Sequence, residues 1–500
     1  MTRLTLVRPL IFISLLAGLA LAALRPAAVQ AQEDPQATFK VLLPFVTFQA
    51  GGGTTPPPPP LPRKALFMDT VTKIGTGAVA SDALGGLHTA YAHTVPLVDH
   101  PQAVYEYCAA GADCGQGANW HGVVLADDVL EVQLAVTEAG QPRLLIRTQS
   151  AQSGYDSDYL YAACDAACTD PAQWASTYIL STYGTSMFAI SDYTSPQRYF
   201  ALDPQGRPRF VYFDRNYFIE PDHIGAFYVY CDADCTTNPA GDPHWFETQI
   251  SLAQGYQYEV FKYSALAFTP AGQPRVLADV ITLNTDDSGI YYVACDDLCE
   301  AGANWQRVRL ADRGSGTDVS WDLEVDGQGR PRAAYYDGSY INNGGEILYY
   351  VWCDSDCLTG AAWHGLDLEL PQRTGKHPDL ELDGQGRPRL AYLVQGGGGL
   401  GYAWCETNCG VVGSWTKQVV ETAAALAAAW PVARPGHCDA GLWDSLTPVL
   451  TLDPAGQPRI AYDSAYQTRC WYDDPNDNQG PYLTFHELWH TVRVHILPKP

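Results

Sequence analysis

Four aspartates recur at one place in a repeating phrase and are the carboxylates best spaced for chemistry. Asp214, Asp279, Asp337 and Asp463 each stand seven or eight residues after the glycine of a Gly-x-Pro-Arg tetrapeptide. His93 and Arg147 take the same place in two further copies. Two carboxylates flanking a sugar bond can act as glycosidase acid and base, whereas four around one axis can hold Ca2+. Arg215, Lys376, His377, Tyr256, Trp430 and Trp443 fall in neighbouring segments. The expected ligand-binding set is therefore His93, Arg147, Asp214, Arg215, Asp337, His377 and Asp463, with Asp214, Asp279, Asp337 and Asp463 as the catalytic alternative. The same aspartates suit the plainer job of capping the turn that ends a strand, so residue type alone leaves both roles open. The run Asp473-Asp-Pro-Asn-Asp-Asn-Gln-Gly480 resembles a calcium loop but departs from the EF-hand spacing, which favours a polar turn. No nucleophile elbow, zinc-helix motif, phosphate loop or dinucleotide fingerprint is present, and no cofactor is implied beyond the Ca2+ option.

What must position these residues is the repeat itself. Gly140-Gln-Pro-Arg143, Gly206-Arg-Pro-Arg209, Gly272-Gln-Pro-Arg275, Gly329-Arg-Pro-Arg332, Gly386-Arg-Pro-Arg389 and Gly456-Gln-Pro-Arg459 precede apolar, often Tyr-containing runs. A degenerate copy, Asp82-Ala-Leu-Gly85-Gly-Leu-His-Thr-Ala-Tyr91, stands first, and the glycines march along the chain at a nearly even interval. Each unit reads as four short strands, with Gly supplying a positive φ in the first turn and Pro opening a strand where its missing N–H breaks no ladder. Repeated four-stranded units of this length suit radial closure, which protects the sheet edges an open stack would expose. The expectation is an all-β, seven-bladed β-propeller of four-stranded antiparallel blades over residues 66–500. An open β-solenoid is the rival.

The cysteines keep the same period. Cys164/Cys168, Cys231/Cys235, Cys295/Cys299, Cys353/Cys357 and Cys405/Cys409 are Cys-x3-Cys pairs, and Cys108/Cys114 is a longer version. All six precede a Trp: Trp120, Trp174, Trp245, Trp305, Trp363 and Trp415. Zinc needs four ligands and each pair stands alone in its unit, so six local disulfides are expected, with Cys438–Cys470 as the seventh. The six repeated arginines are expected to bond neighbouring backbone or a turn aspartate rather than converge on an anion. Gly-Pro-Arg turns and Cys turns should share one face, leaving irregular loops on the other as a binding surface.

The pattern DGxGxPR-x-AYYD, then LYY-x-x-C, then C and W resembles exported bacterial propellers of the sialidase-like, BNR-like superfamily. The resemblance implies the architecture; it supplies no catalytic residues, because no S-x-D-x-G-x-T-W box occurs here.

Residues 1–31 read as a secretory signal, residues 32–50 as a short segment holding the apolar stretch Phe39–Phe48, and residues 51–65 as a Gly/Pro-rich linker. The net charge of −25 becomes −28 once Arg3, Arg8 and Arg25 of the signal are removed, which disfavours nucleic acid and anionic membranes. A secreted or surface-displayed monomer with no membrane span in its mature form is expected. Its expected function is non-catalytic binding of a glycan or protein ligand through the irregular loops; the alternative is a glycoside hydrolase or lyase using paired carboxylates.

Overall fold

A computed structural model describes residues 64–67, 78–93, 101–114, 116–150, 157–182, 198–215, 224–238, 243–251, 259–282, 288–312, 319–338, 346–371, 374–394, 399–429, 442–472 and 482–497. Within them the chain is an all-β propeller of four-stranded antiparallel blades. Blade 1 uses Ala78–Ser81, Leu87–His93, Gln102–Cys108 and Trp120–Ala126. Blade 2 uses Val129–Val136, Pro142–Gln149, Ser157–Ala163 and Ala175–Thr182, and blade 3 uses Phe200–Leu202, Pro208–Arg215, Ile224–Cys231 and Trp245–Gln249. Blade 4 uses Glu259–Phe268, Pro274–Thr282, Gly289–Ala294 and Gln306–Asp312. Blade 5 uses Val319–Val325, Pro331–Asp337, Ile347–Cys353 and Trp363–Asp367, and blade 6 uses Thr374–Leu382, Pro388–Val394, Gly399–Cys405 and Trp415–Thr422.

The last repeat departs from the six before it. It contributes three strands, Leu442–Leu452, Pro458–Tyr472 and Tyr482–Ile496, and its outermost strand is Lys64–Phe67 from the other end of the propeller chain. The reason is local: this repeat lacks the Cys-turn and Trp that open the fourth strand of every blade before it. This composite sheet packs on blade 6 through Leu450, Ile460 and Tyr462 against Ala391, Leu400 and Tyr402. It also packs on blade 1 through Val449 and Ala461 against Val79 and Leu87.

The turn chemistry explains the repeated phrase. Gly140, Gly206 and Gly386 have φ of +80°, +76° and +74°, where a Cβ is strained. Three residues before each glycine a side chain gathers the turn. Asp203 Oδ1 accepts from the N–H groups of Gln205 and Arg207, and Asp383 Oδ1 accepts from Gln385 and Arg387. The motif arginine then ties two turns together. Arg332 donates to Asp326 Oδ2 at 3.1 Å, to the Cys353 carbonyl at 2.8 Å and to Asp354 at 2.8 Å. Where the turn residue is Thr137 or Thr269, Arg143 and Arg275 bond the glutamine of the motif instead. The arginines therefore act on backbone and turn aspartates, and the Gly and Cys turns share a face. In the degenerate first copy His88 stands in the arginine's place, 3.3 Å from Asp82 Oδ2 and 2.7 Å from the Tyr105 hydroxyl.

All six expected local disulfides are present. Cys108–Cys114 joins Cα atoms 5.8 Å apart in blade 1, and Cys164–Cys168 and Cys231–Cys235 close the turns of blades 2 and 3. Cys295–Cys299, Cys353–Cys357 and Cys405–Cys409 do the same in blades 4, 5 and 6. Cys438 lies outside the described residues, and so does the Cys438–Cys470 pairing. The signal, the segment 32–50 and most of the linker also lie outside them.

The Cys–Trp spacing builds the interfaces. The second cysteine of each bridge offers its carbonyl to the following indole N–H. Trp120 donates to Cys114 at 3.0 Å, Trp174 to Cys168 at 2.8 Å and Trp245 to Cys235 at 3.0 Å. Trp305 donates to Cys299 at 2.9 Å, Trp363 to Cys357 at 2.7 Å and Trp415 to Cys409 at 2.9 Å. From blade 2 onward the ring meets a tyrosine on the third strand of the previous blade: Tyr105–Trp174, Tyr161–Trp245, Tyr228–Trp305, Tyr292–Trp363 and Tyr350–Trp415, with centroids 4.9 to 5.2 Å apart. Such contacts between large buried rings are worth more than their area alone.

Candidate functional site

The first strand of each blade lines the axis, and two of these strands differ from the rest. Blade 5 carries Asp322-Leu323-Glu324 where blade 4 carries Ala265-Leu266-Ala267, and blade 6 carries Asp379-Leu380-Glu381 at the matching register. Leu323 and Leu380 are fully buried in the interfaces with the preceding blades, and strand alternation turns the flanking acids the other way. Arg198, just before the first strand of blade 3, meets them. Its Nη1 donates to Glu324 at 3.0 Å and to Glu381 at 2.8 Å, and its Nη2 donates to Asp379 at 2.8 Å and to the Leu450 carbonyl at 2.5 Å. This guanidinium therefore reaches from blade 3 to the first strands of blades 5 and 6 and of the composite sheet.

These groups floor an axial cavity of about 470 Å³. Pro204, Pro270 and Gly327 of the Gly turns stand at its mouth, and Val79, Leu134, Phe200, Leu266, Phe268 and Val449 contribute apolar walls. Arg198, Glu324 and Glu381 are 22 to 25 % exposed, all toward this cavity, while Asp379 is 1 % exposed and sits behind them. Glu324 and Glu381 accept from one shared nitrogen at 3.0 and 2.8 Å. Two oxygens bonded to a common donor in this way lie within about 6 Å of each other.

Four carboxyl groups face one guanidinium, and their protonation follows from that. Burial and the neighbouring Glu381 push Glu324 well above the usual carboxylate range against the opposing pull of Arg198. Burial also raises Glu381, but the charge and hydrogen bond of Arg198 hold it back. Asp379 is raised well above its ordinary value by burial, with Asp322 adding to the effect. Burial raises Asp322 as well, against the opposing pull of Arg198, and its Oδ2 accepts from the Leu380 N–H at 2.8 Å. The floor thus contains two glutamic acids raised by burial that share one arginine donor, Glu324 the more strongly raised of the two.

The residues expected from sequence lie elsewhere. Asp214, Asp279 and Arg147 are on the second strands of blades 3, 4 and 2, 0 to 2 % exposed, and Asp337 ends the second strand of blade 5 half-buried. The sequence expectation puts them just past those strands, in open loops. The strands run on through them, and the side chains of Arg147, Asp214 and Asp279 are enclosed. Arg147 and Asp214 do come together around Tyr159. Burial raises that phenol, Arg147 opposes the rise, and Glu131 and Asp214 add to it. Arg147 also pairs with Glu131 at 3.4 Å. His377 is buried on the first strand of blade 6, where its N–H donates to Ser320 Oγ at 3.0 Å. His93, Arg215 and Asp463 hold strand positions opposite Gln102, Ile224 and Val492, and Trp443 packs on Leu426 and Tyr466.

The bridged cysteines take no part in the site. Cys114, Cys168, Cys235, Cys357 and Cys409, like their partners, belong to the Cys turns and none lines the axial cavity. Tyr256, Trp430 and the run 473–480 lie outside the described residues, as do most of the irregular loops. Among the described residues no three His, Cys, Asp or Glu side chains converge as a metal ion requires, and no helix is long and apolar enough to cross a membrane. The signal in the sequence that points to the axial site is the Asp-Leu-Glu triplet shared by two first strands alone.

No family model matches the chain, and no curated protein matches its sequence. Among solved structures, a polysaccharide lyase described as an ulvan lyase, bound to -[GlcA(1-4)Rha3S]-, is 10 % identical. That match covers 85 % of this chain and 95 % of the other, with a TM-score of 0.47. An alpha-L-arabinanase from Penicillium chrysogenum, complexed with arabinobiose, is 12 % identical over 66 % of this chain and 92 % of the other, with a TM-score of 0.43. An acylaminoacyl peptidase from Pyrococcus horikoshii is 8 % identical over 83 % of this chain and 52 % of the other, with a TM-score of 0.39. Likenesses this distant carry no weight for function.

Proposed function

We propose that this chain is a seven-bladed propeller, closed by the composite sheet as its last blade, that cleaves glycosidic bonds in the axial cavity outside the cytoplasm. The observation that carries the reading is the Glu324–Glu381 pair, two carboxyl groups accepting from one arginine nitrogen at 3.0 and 2.8 Å. A separation of about 5–5.5 Å fits a retaining double displacement, whereas inversion needs about 6.5–9.5 Å for an intervening water, more than a shared donor allows. Glu324, the more strongly raised of the two, gives its proton to the glycosidic oxygen as the bond to the anomeric carbon breaks. Glu381 attacks that carbon and forms a glycosyl ester. Water then attacks the ester's anomeric carbon, Glu324 takes the water's proton, and Glu381 leaves as the carboxylate. Arg198 opposes the rise that burial imposes on Glu381, which favours its carboxylate form, and bonds both carboxyl groups. This keeps the paired-carboxylate alternative and transfers it from the second-strand aspartates to the first strands of blades 5 and 6. The six disulfides suit an oxidising compartment.

Turnover of a panel of 4-nitrophenyl glycosides by mature protein tests the reading. Release of nitrophenol that falls at least 1,000-fold in Glu381→Gln, at unchanged melting temperature, is the expected result. Turnover that survives this substitution, or no turnover of any glycoside, removes the reading.

A further inference from the structure

The axial cavity also constrains what can enter it, which deepens the glycosidase reading and rests on its placing of the site. Arg198, Glu324 and Glu381 gather at the floor of the cavity. Apolar side chains from the first strands share its walls with Gln133, Thr269, Asp326 and Thr451, which are already engaged: Gln133 donates to Glu131 at 3.0 Å and Thr269 to Gln273 at 3.1 Å, Asp326 is held by its own turn and by Arg332, and Thr451 accepts from the Ser81 N–H at 3.2 Å. At the floor Arg198 spends both terminal nitrogens on Glu324, Glu381, Asp379 and the Leu450 carbonyl. It is the one cationic side chain lining the cavity among the described residues. An arriving carboxylate or sulfate would meet two glutamates and no uncommitted cation, and burying such a charge without a partner is costly. A hydroxyl or an ammonium group brings donors, which is what carboxyl oxygens accept.

Geometry sets the direction of entry. The mouth lies among the Gly turns, and the side chain of Arg198 crosses the axis beneath it, bonded to blades 5 and 6 and to the composite sheet. A chain cannot thread past that bar. About 470 Å³ sits toward the small end of ligand pockets, which run from about 300 to 1,000 Å³. From these observations we infer that the cavity receives the terminal residue of a glycan end-on, and that this residue is uncharged or amine-bearing rather than a uronate, sialate or sulfated sugar.

Saturation-transfer NMR and titration calorimetry on Glu381→Gln protein, which holds ligand without turnover, test this. The probes are the methyl glycosides of glucose, galactose, mannose, arabinose and glucosamine, set against those of glucuronate and galacturonate. At least one neutral or amino sugar is expected to bind at least 10-fold tighter than either uronate. Neutralising the remaining glutamate, in Glu324→Gln/Glu381→Gln, is expected to narrow that ratio to below 3-fold. In linear oligosaccharides of the bound sugar, saturation is expected at the terminal ring alone. Preference for a uronate, a ratio unmoved by the double substitution, saturation along the whole oligosaccharide, or no binding of any probe each overturn the inference. Should neutral sugars bind end-on to a wild-type protein that hydrolyses nothing, this inference stands and the hydrolase reading fails, so the two are separable.

Discussion

Replacing Arg198 with alanine removes the single cation from a cluster of four carboxyl groups, and the size of the effect can be worked from its contacts. The bond to Asp379 is enclosed, with the acceptor 1 % exposed. Stripping the partner from such a pair costs about 3–5 kcal/mol. Glu324 and Glu381 open to the cavity, so those pairs are partly screened and add at most about 1 kcal/mol each. Neutralisation limits the total, because carboxyl groups left alone take up protons instead of staying charged. A loss of about 3 kcal/mol at pH 8 is expected. Without Arg198 the folded-state pKa values of all four rise further, while in the unfolded chain they lie near 4. The folded variant then holds more protons than the folded wild type once pH climbs past the wild-type values, so the destabilisation grows with pH and nearly vanishes toward pH 4. With an unfolding entropy of about 2.1 cal/mol/K per residue over ~430 residues, about 3 kcal/mol lowers the melting temperature by about 3–4 °C. Scanning calorimetry of mature protein at pH 5 and pH 8 reads this directly. A shift below about 1 °C at pH 8, or equal shifts at both pH values, would show that Arg198 does not hold the cluster together.

Glu324→Gln is expected to stabilise the fold at pH 8 by about 1 kcal/mol and to change nothing at pH 4, because the raised folded-state pKa penalises the wild-type acid only once the unfolded chain has ionised; urea unfolding at the two pH values checks this. Trp305→Ala should cost about 3–5 kcal/mol through the lost Tyr228 contact and the cavity left behind, whereas Cys295→Ala/Cys299→Ala should cost no more than about 2 kcal/mol because the bridge closes so short a loop. Equal losses would mean that the disulfide and not the ring packing sets that interface. Leu298 has φ of +50° and is 66 % exposed, and Asn408 holds the matching place in blade 6 at +56°. Leu298→Asn is therefore expected to stabilise by about 0.5–1 kcal/mol, and a destabilised variant in thermal melts would contradict the strain argument.

The scaffold was readable because its signals are local and recur. A positive φ at Gly206 or Gly386, an aspartate three residues before, and an arginine three residues after make one self-contained turn, and a Cys–Trp spacing makes another. Closure was not readable, since pairing Lys64–Phe67 with Tyr482–Ile496 joins the two ends of the propeller chain and no local rule selects that partner. The axial acids were not singled out for a related reason. Function was sought where units vary in length, in the loops, but the axial acids are point substitutions inside strands that keep their length. Asp322-Leu-Glu324 and Asp379-Leu-Glu381 stand where other units place Ala-Leu-Ala or Val-Leu-Thr, and charge at positions alternating with a core leucine was the mark to notice. Arg198 occupies no repeated motif and is recognisable only once the ring brings blade 3 opposite blade 6.

A nucleophile at the floor of the axial cavity can be trapped covalently, and the proposed attack of Glu381 on an anomeric carbon makes it the residue to be labelled. Mature protein is incubated with 2,4-dinitrophenyl 2-deoxy-2-fluoroglycosides of glucose, galactose, mannose and xylose, and then analysed by intact mass and peptide mapping. One sugar adduct per chain is expected, on the peptide containing Glu381, absent from Glu381→Gln and formed more slowly when methyl glycoside competes for the cavity. An adduct on any other residue, or unmodified protein after exposure to all four probes, would contradict the proposed attack.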